Sequence, residues 1–197
     1  MQVLVVYAHP SSESYSRALL DAACRGLGEG KHHYDVIDLY AEGFQAAMSR
    51  AERLAYESDT PIVDPMVATH ARLVAAAQVL VFVYPTWWWG MPAILKGWLE
   101  RVMVPGVAFR LDPRTNRVRP GLKRMRRLVG ITTYGSSRAY MRIFNDAGRR
   151  VVTRCLRLSA PALRCRSHWH GLYNIERSTA AQREAFVAKI EKAMSTL

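Results

Sequence analysis

Cysteine is scarce in this chain, acid is scarce in its second half, and no apolar run approaches the roughly twenty residues a membrane helix needs. The three cysteines, Cys24, Cys155 and Cys165, are odd in number and widely spaced, which excludes a disulfide framework and matches no metal-ligand spacing. Reduced thiols fit a reducing compartment, so a cytoplasmic location is expected. The N-terminus lacks a basic segment ahead of a long apolar stretch, and its short apolar run before His9 and Pro10 reads as a strand, not as a signal peptide. Neither GxGxxG nor GxxxxGK followed by Ser or Thr occurs, which excludes the standard dinucleotide and P-loop readings. No helix-turn-helix or RNA-binding signature is present, so nucleic acid is not an expected partner. No Ser/His/Asp or Cys/His constellation carries a supporting motif.

What is present is enough apolar residue for one core. At 197 residues and 50% hydrophobic, the chain fits a single domain over 1–197. Its net charge of +12 is unevenly spread: positions 1–109 hold 8 Lys/Arg against 11 Asp/Glu, and positions 110–197 hold 20 against 5. The second half is therefore a basic surface, suited to a phosphorylated small molecule, a membrane or nucleic acid.

The hydrophobic periods alternate between strand and helix. Residues 2–8 (QVLVVYA), 78–84 (QVLVFVY) and 128–133 (LVGITT) are continuous apolar runs, the mark of strands buried on both faces of a parallel sheet. Further strands are expected near 34–39 and 163–169. Helical stripes run through 14–27, 65–77, 94–103, 140–158 and 179–194, with Pro92 in the first turn of the third, and 41–64 is a polar excursion. The expected fold is α/β, a doubly wound three-layer sandwich on about five parallel strands.

In such a sheet, ligands bind beyond the carboxyl ends of the strands. Three loops lie there: His9 to Ser16, Pro85 to Gly90, and Tyr134 to Ser137. The first is rich in hydroxyls and opens a helix, whose unpaired N–H groups suit a phosphate, although serines there also serve simply as caps. The second carries three consecutive tryptophans, a surface for a flat polycyclic ligand or for a core or oligomer contact. The alternate histidines of His168-Trp169-His170 lack a third ligand, and no metal site is expected. Lys96 and Glu100 stand one helical turn apart and are read as a surface pair.

Together, YAHPSSESYSRAL, YPTWWWGMPAILKGWLERV and ITTYG with Tyr140 five residues on resemble the flavodoxin-like NAD(P)H:quinone oxidoreductase family, over about residues 2–175. The resemblance implies a flavin, FMN or FAD, a homodimer, and ping-pong two-electron reduction of a quinone-like acceptor by NAD(P)H. It places His9, Ser14, Tyr15, Ser16 and Ala18 at the flavin phosphate and ribityl chain. Pro85, Thr86, Trp87, Trp88 and Trp89 fall beside the isoalloxazine, and Thr132, Thr133, Tyr134 and Gly135 at its polar edge. Tyr140 matches a tyrosine that helps to stabilise the reduced flavin. A flavodoxin-like electron carrier or regulatory flavoprotein subunit, and an azo or nitro reductase, are the alternatives. Two departures stand out. Tyr134 occupies a position where the family often has glycine, which is expected to bring a bulky side chain into the flavin-edge loop and narrow the slot. Asp146 stands where a histidine often partners the tyrosine, so that relay is expected to be missing. Arg138 and Arg142 flank Tyr140 and are expected at the crevice mouth, where they would favour NADPH over NADH.

Overall fold

The computed structural model describes residues 1–161 and 164–197. In chain order its strands are β1 (Gln2–Tyr7), β2 (His33–Asp38), β3 (Val79–Pro85), β4 (Phe109–Leu111), β5 (Val118–Pro120), β6 (Arg127–Thr133) and β7 (Arg166–Leu172). Five of them form a parallel sheet in the order β2-β1-β3-β6-β7, while β4 and β5 make a separate antiparallel hairpin. Burial along each strand follows its place in that order. β1, β3 and β6 are buried along nearly their whole length and sit centrally, with apolar side chains on both faces. β2 and β7 carry polar residues and take the two edges, β2 with half its residues exposed and β7 with most of its residues partly exposed.

The helices are α1 (Tyr15–Glu29), α2 (Arg50–Ala55), α3 (Pro65–Ala76), α4 (Ala93–Val102), α5 (Arg138–Ile143), α6 (Ala147–Arg150), α7 (Leu156–Leu158) and α8 (Ala180–Ser195). A π-helical turn over Val151–Cys155 joins α6 to α7. One sheet face packs Val3, Val5 and Val81 against Leu19 and Ala23 of α1 and Ile190 of α8. The other packs Leu4, Val6, Leu80 and Phe82 against Val67 of α3 and Trp98 of α4, with Val152 in the same core. Each fully buried aliphatic side chain contributes about 1.5–3 kcal/mol relative to exposure, so these two cores are the main source of stability.

The structure corrects the expected elements in four places. The excursion 41–64 is not wholly irregular: Ser49 and Glu52 form a reciprocal capping box that starts α2. The β4–β5 hairpin was not legible because each strand has only three residues, mostly exposed. The helix expected over 140–158 is broken at Asn145 and Asp146, whose φ values are +68° and +26°. Asn and Asp tolerate that region better than other non-glycine residues, and the Asp146 carboxylate caps the new helix by accepting the Arg149 N–H at 3.1 Å. The last strand lies at Arg166–Leu172, later than the expected 163–169, and Leu163 falls outside the described residues. Its position is set by pairing with β6, from Arg127 opposite Arg166 to Thr133 opposite Leu172, and not by its own weak apolar pattern. The remaining helices and strands lie within a few residues of their expected positions.

Two glycines shape this last pairing. Gly130 lies opposite Trp169, and a Cβ there would meet the indole at 2.1 Å. Gly171 leaves space for the Tyr134 ring, which would stand 2.8 Å from a Cβ. The sheet face beneath α6 thus accepts two large aromatics where alanine would collide.

Candidate active site

The loops that follow β1, β3 and β6 meet at the carboxyl edge of the sheet because those three strands are adjacent and parallel. After β1 the chain turns into α1. Ser14 caps the helix by accepting the Arg17 N–H at 3.1 Å, and its hydroxyl also bonds Tyr7 Oη at 3.2 Å. The first N–H groups of α1, on Tyr15 and Ser16, have no intrahelical acceptor by geometry. His9 Nδ1 accepts the Ser11 N–H at 3.0 Å, which leaves Nε2 as the free ring nitrogen. Burial pushes the Tyr15 phenol up to about 12, and its hydroxyl donates to the Arg183 carbonyl at 2.8 Å, tying α1 to α8. Ala18 sits one turn further on, half-buried, and its N–H is already bonded to the Ser14 carbonyl.

After β3, Trp87 and Gly90 exchange backbone hydrogen bonds at 3.1 and 3.0 Å around a two-residue turn. Trp88 and Trp89, at its centre, have φ of +48° and +55°. Two tryptophans in the left-handed region cost about 1–2 kcal/mol each relative to glycine, which marks the turn as one whose side chains matter more than its ease of folding. Pro85 is buried at the end of β3, and Thr86 donates its N–H to the Thr133 carbonyl at 2.9 Å while its hydroxyl meets Thr132 Oγ1 at 3.0 Å. The second and third loops are thereby locked together. Trp87 lies beside His9, with ring centroids 5.8 Å apart, which joins the first loop to the second.

A cavity of about 300 Å³ opens between the second and third loops. Thr86, Trp88, Trp89, Tyr134 and Gly135 line it, together with Ser136 of the same third loop and Met141, which sequence reasoning missed. Trp88 is 92% exposed. Tyr140, the expected catalytic residue, lies on the first turn of α5 with its ring 4.6 Å from Phe144, which in turn packs against Trp89 at 5.3 Å. It is not among the residues lining the cavity, although its neighbour Met141 is, and it is half exposed.

Tyr134 departs from expectation. Its side chain does not stand in the slot but turns down into the protein, 1% exposed, and stacks on Tyr173 at 4.4 Å and 4°. Its hydroxyl donates to Asp146 Oδ2 at 2.7 Å and accepts Trp169 Nε1–H at 3.0 Å. Burial first, then the Asp146 carboxylate, raises its pKa far above that of free tyrosine. Below it Tyr84 is also held neutral by burial and by Asp146, and its hydroxyl has no hydrogen-bond partner among the described residues. Asp146 is thus a cap and an acceptor beneath the crevice floor and does not reach up to Tyr140. A histidine here would fill the relay position, whereas this aspartate anchors the loop that carries Tyr134.

Arg138 and Arg142 line a second groove that shares Met141 and Tyr134's neighbour Tyr173 with this region. The excursion 41–64 is pinned by Arg101 of α4, whose guanidinium donates to Glu52 Oε1 and Asp64 Oδ2, each at 2.7 Å. Lys96 and Glu100 form the surface pair expected of them. Among the described residues no three His, Cys, Asp or Glu side chains are placed to hold a metal ion, and no helix is long and apolar enough to cross a membrane.

The chain is similar to known proteins over most of its length. A family model described as a flavodoxin-like fold matches residues 1–193. The chain is 31% identical over 156 residues to NAD(P)H dehydrogenase (quinone) 1 of Rattus norvegicus, covering 71% of this chain and 56% of that protein. It is 30% identical over 138 residues to an uncharacterized NAD(P)H oxidoreductase of Haemophilus influenzae, covering 70% and 66% respectively. It therefore spans between about half and two thirds of the length of these curated relatives. The NAD(P)H:quinone oxidoreductase of Methanothermobacter marburgensis superposes with a TM-score of 0.81 at 26% identity, over 100% of this chain and 96% of that one.

Proposed function

The chain belongs to the flavodoxin-like fold family, and from that premise we propose that it is a flavin-dependent NAD(P)H:quinone oxidoreductase that reduces quinones or related acceptors by two electrons in a ping-pong cycle. The observation that carries this reading is a cavity between an aromatic turn after β3 and the loop after β6, with the unpaired helix N-terminus after β1 brought beside that turn by the contact of His9 with Trp87. A hydroxyl-rich helix start suits a phosphate, and an indole-walled cavity suits a planar ring system, so the residues present fit FMN or FAD.

In this reading, the N–H groups of Tyr15 and Ser16, with His9 Nε2 and the Ser14 hydroxyl, hold the phosphate and ribityl chain. Thr86, Trp87 and Trp89 border the ring, and Gly135 offers backbone groups to its polar edge, whereas the Tyr134 N–H and carbonyl and the Thr133 carbonyl, expected there too, are engaged by Leu172, Ile175 and Thr86. A bound flavin supplies the capacity to take a hydride from NAD(P)H and pass it on. The protein's share is placement, exclusion of water by Trp88 and Trp89, and a proton held at the Tyr140 hydroxyl. Asp146 is engaged by Tyr134 and Arg149, so Tyr140 acts here without a histidine partner. The exposed aromatic row Trp88, Trp89, Phe144 and Tyr140 forms part of a homodimer contact beside the cavity mouth. Arg138 and Arg142, both in the groove that adjoins the cavity at Met141, favour NADPH over NADH through its additional phosphate.

The test begins with the purified protein. It should be yellow, and denaturation should release one flavin per chain whose mass distinguishes FMN from FAD. NADPH oxidation should be fast with a soluble quinone. A colourless protein that takes up neither flavin refutes the reading, and a yellow one without turnover points to an electron carrier instead. The NADPH preference should disappear in Arg138→Ala and Arg142→Ala and weaken with salt.

A further inference from the structure

Between Gly121 and Ile175 the sequence holds twelve Lys and Arg residues and a single acid, Asp146, which is buried and already bonded. This charge is concentrated in space. One groove of about 900 Å³, running from α5 along the α6–α7 segment to β7, is lined by Arg138, Arg142, Arg149, Arg150, Arg154 and Arg157. All six side chains are exposed, and none lies within ion-pair distance of a carboxylate among the described residues. Two aliphatic side chains are left in water on the same segment: Leu158, 77% exposed, lines the groove, and Ile143, 75% exposed, follows Arg142 at the end of α5. One dinucleotide would need two or three of these arginines, not the whole row.

We infer that this arginine-lined face of α5 to α7 is a docking surface for an anionic lipid membrane, with Ile143 and Leu158 entering the interfacial layer. Charge complementarity selects a polyanionic partner, since six unpaired guanidinium groups repel one another until phosphate groups neutralise them. A second copy of the chain is a poor occupant: a two-fold contact through this face would set arginines against arginines. The exposed aliphatics decide between the remaining polyanions. A nucleic-acid backbone offers Ile143 and Leu158 nothing, whereas a headgroup–acyl boundary accepts both the cations and the apolar side chains. The groove shares Met141 with the cavity between the loops, so docking would hold the cavity mouth near the membrane surface. The consequence that a lipid-dissolved acceptor is thereby brought within reach rests on the quinone-reductase reading, but the docking itself does not.

Vesicle sedimentation of the full chain tests it without reference to catalysis. The protein should pellet with phosphatidylcholine vesicles containing phosphatidylglycerol, remain in solution with pure phosphatidylcholine, and be released by salt. An arginine near an anionic surface is worth about fivefold in partitioning, so Arg154→Ala with Arg157→Ala should lower it roughly 25-fold. Leu158→Gln with Ile143→Gln leaves the charge unchanged and should lower vesicle partitioning at least about tenfold, while barely altering affinity for a short DNA duplex. All four positions are exposed, and unchanged circular dichroism identifies properly folded variants. Failure to bind anionic vesicles, binding indifferent to the arginine pair, or binding indifferent to the apolar pair overturns the inference. So does tighter binding to the DNA duplex than to vesicles at equal salt, which would assign the face to nucleic acid. A colourless protein that still pellets with anionic vesicles would refute the flavoenzyme reading and leave the docking surface standing.

Discussion

Replacing Tyr134 by phenylalanine tests the buried cluster beneath the crevice with one atom. The ring keeps its stacking on Tyr173 and its space above Gly171, so no apolar burial is lost. The hydroxyl is what disappears, and with it a donor to the Asp146 carboxylate at 2.7 Å and an acceptor for Trp169 Nε1 at 3.0 Å. A hydrogen bond to a charged group contributes about 1.5–3 kcal/mol, and the stranded indole N–H, only partly buried, adds up to about 1 kcal/mol. The expected loss is therefore about 2–4 kcal/mol, which for a chain of this size lowers Tm by roughly 5–15 °C. Denaturant melts of wild type, Tyr134→Phe, Asp146→Asn and the double variant give both the cost and the coupling. Asp146→Asn replaces one of the two acceptor oxygens, Oδ2 for the Tyr134 hydroxyl or Oδ1 for the Arg149 N–H, by an amide NH2, so it should cost about as much as Tyr134→Phe. The coupling between the two sites should be about 1 kcal/mol or more. The Tyr134 backbone is held separately, its N–H on the Leu172 carbonyl at 2.8 Å and its own carbonyl on Ile175 N–H at 2.9 Å. Flavin affinity should accordingly change far less than stability. A Tyr134→Phe protein within about 0.5 kcal/mol of wild type would refute the reasoning, because a surface-like cost means the carboxylate is not dependent on this donor.

The pinned excursion, the buried phenols and the strained turn give three further outcomes. Arg101→Met strands Glu52, 5% exposed, and should cost about 3–5 kcal/mol in a urea melt. Burial works to raise the pKa values of Glu52 and Asp64, but hydrogen bonds from backbone N–H groups and Arg101 outweigh it and leave both lowered. Their contribution is thus present above the ordinary carboxylate range and lost as pH falls through the lowered values, and Arg101→Met should begin acid unfolding at a higher pH than wild type. Tyr7, Tyr15, Tyr84 and Tyr134 all have raised pKa values, mainly through burial. Because the folded state keeps them neutral, the stability they carry is complete below about pH 10 and is lost above it, and phenolate absorbance should show these four ionising only late or with unfolding. Trp88→Asn relieves a left-handed φ at a side chain that is 92% exposed, so it should raise stability by about 0.5–1 kcal/mol while weakening flavin or acceptor binding. A loss of stability with binding intact would assign Trp88 a packing role instead.

The sheet was legible in the sequence because its central strands are apolar on both faces: 2–8, 78–84 and 128–133 have no polar alternation to confuse with anything but burial. Once strands alternate with helices, the carboxyl edge becomes the place for a ligand, and the loops holding Ser14, Trp88 and Gly135 could be named from chain order alone. Edge elements were less legible. β7 carries His168, Trp169 and His170, and only its pairing with β6, with Gly130 receiving the indole, sets where it starts. The orientation of Tyr134 was beyond reach for the same reason. Whether that ring fills the slot or turns beneath it depends on Gly171, Tyr173 and Asp146, which lie 37, 39 and 12 positions away and meet it only through the fold. Asp146 likewise read as a missing histidine, because a residue's type shows in sequence but its partners do not. The basic bias after position 110 was plain from composition. That six of those arginines line one groove beside the cavity was decided by the break at Asn145 and Asp146, which turns the following helix across β7. Local patterns report burial and caps because those depend on neighbours in sequence, whereas a site is made of neighbours in space.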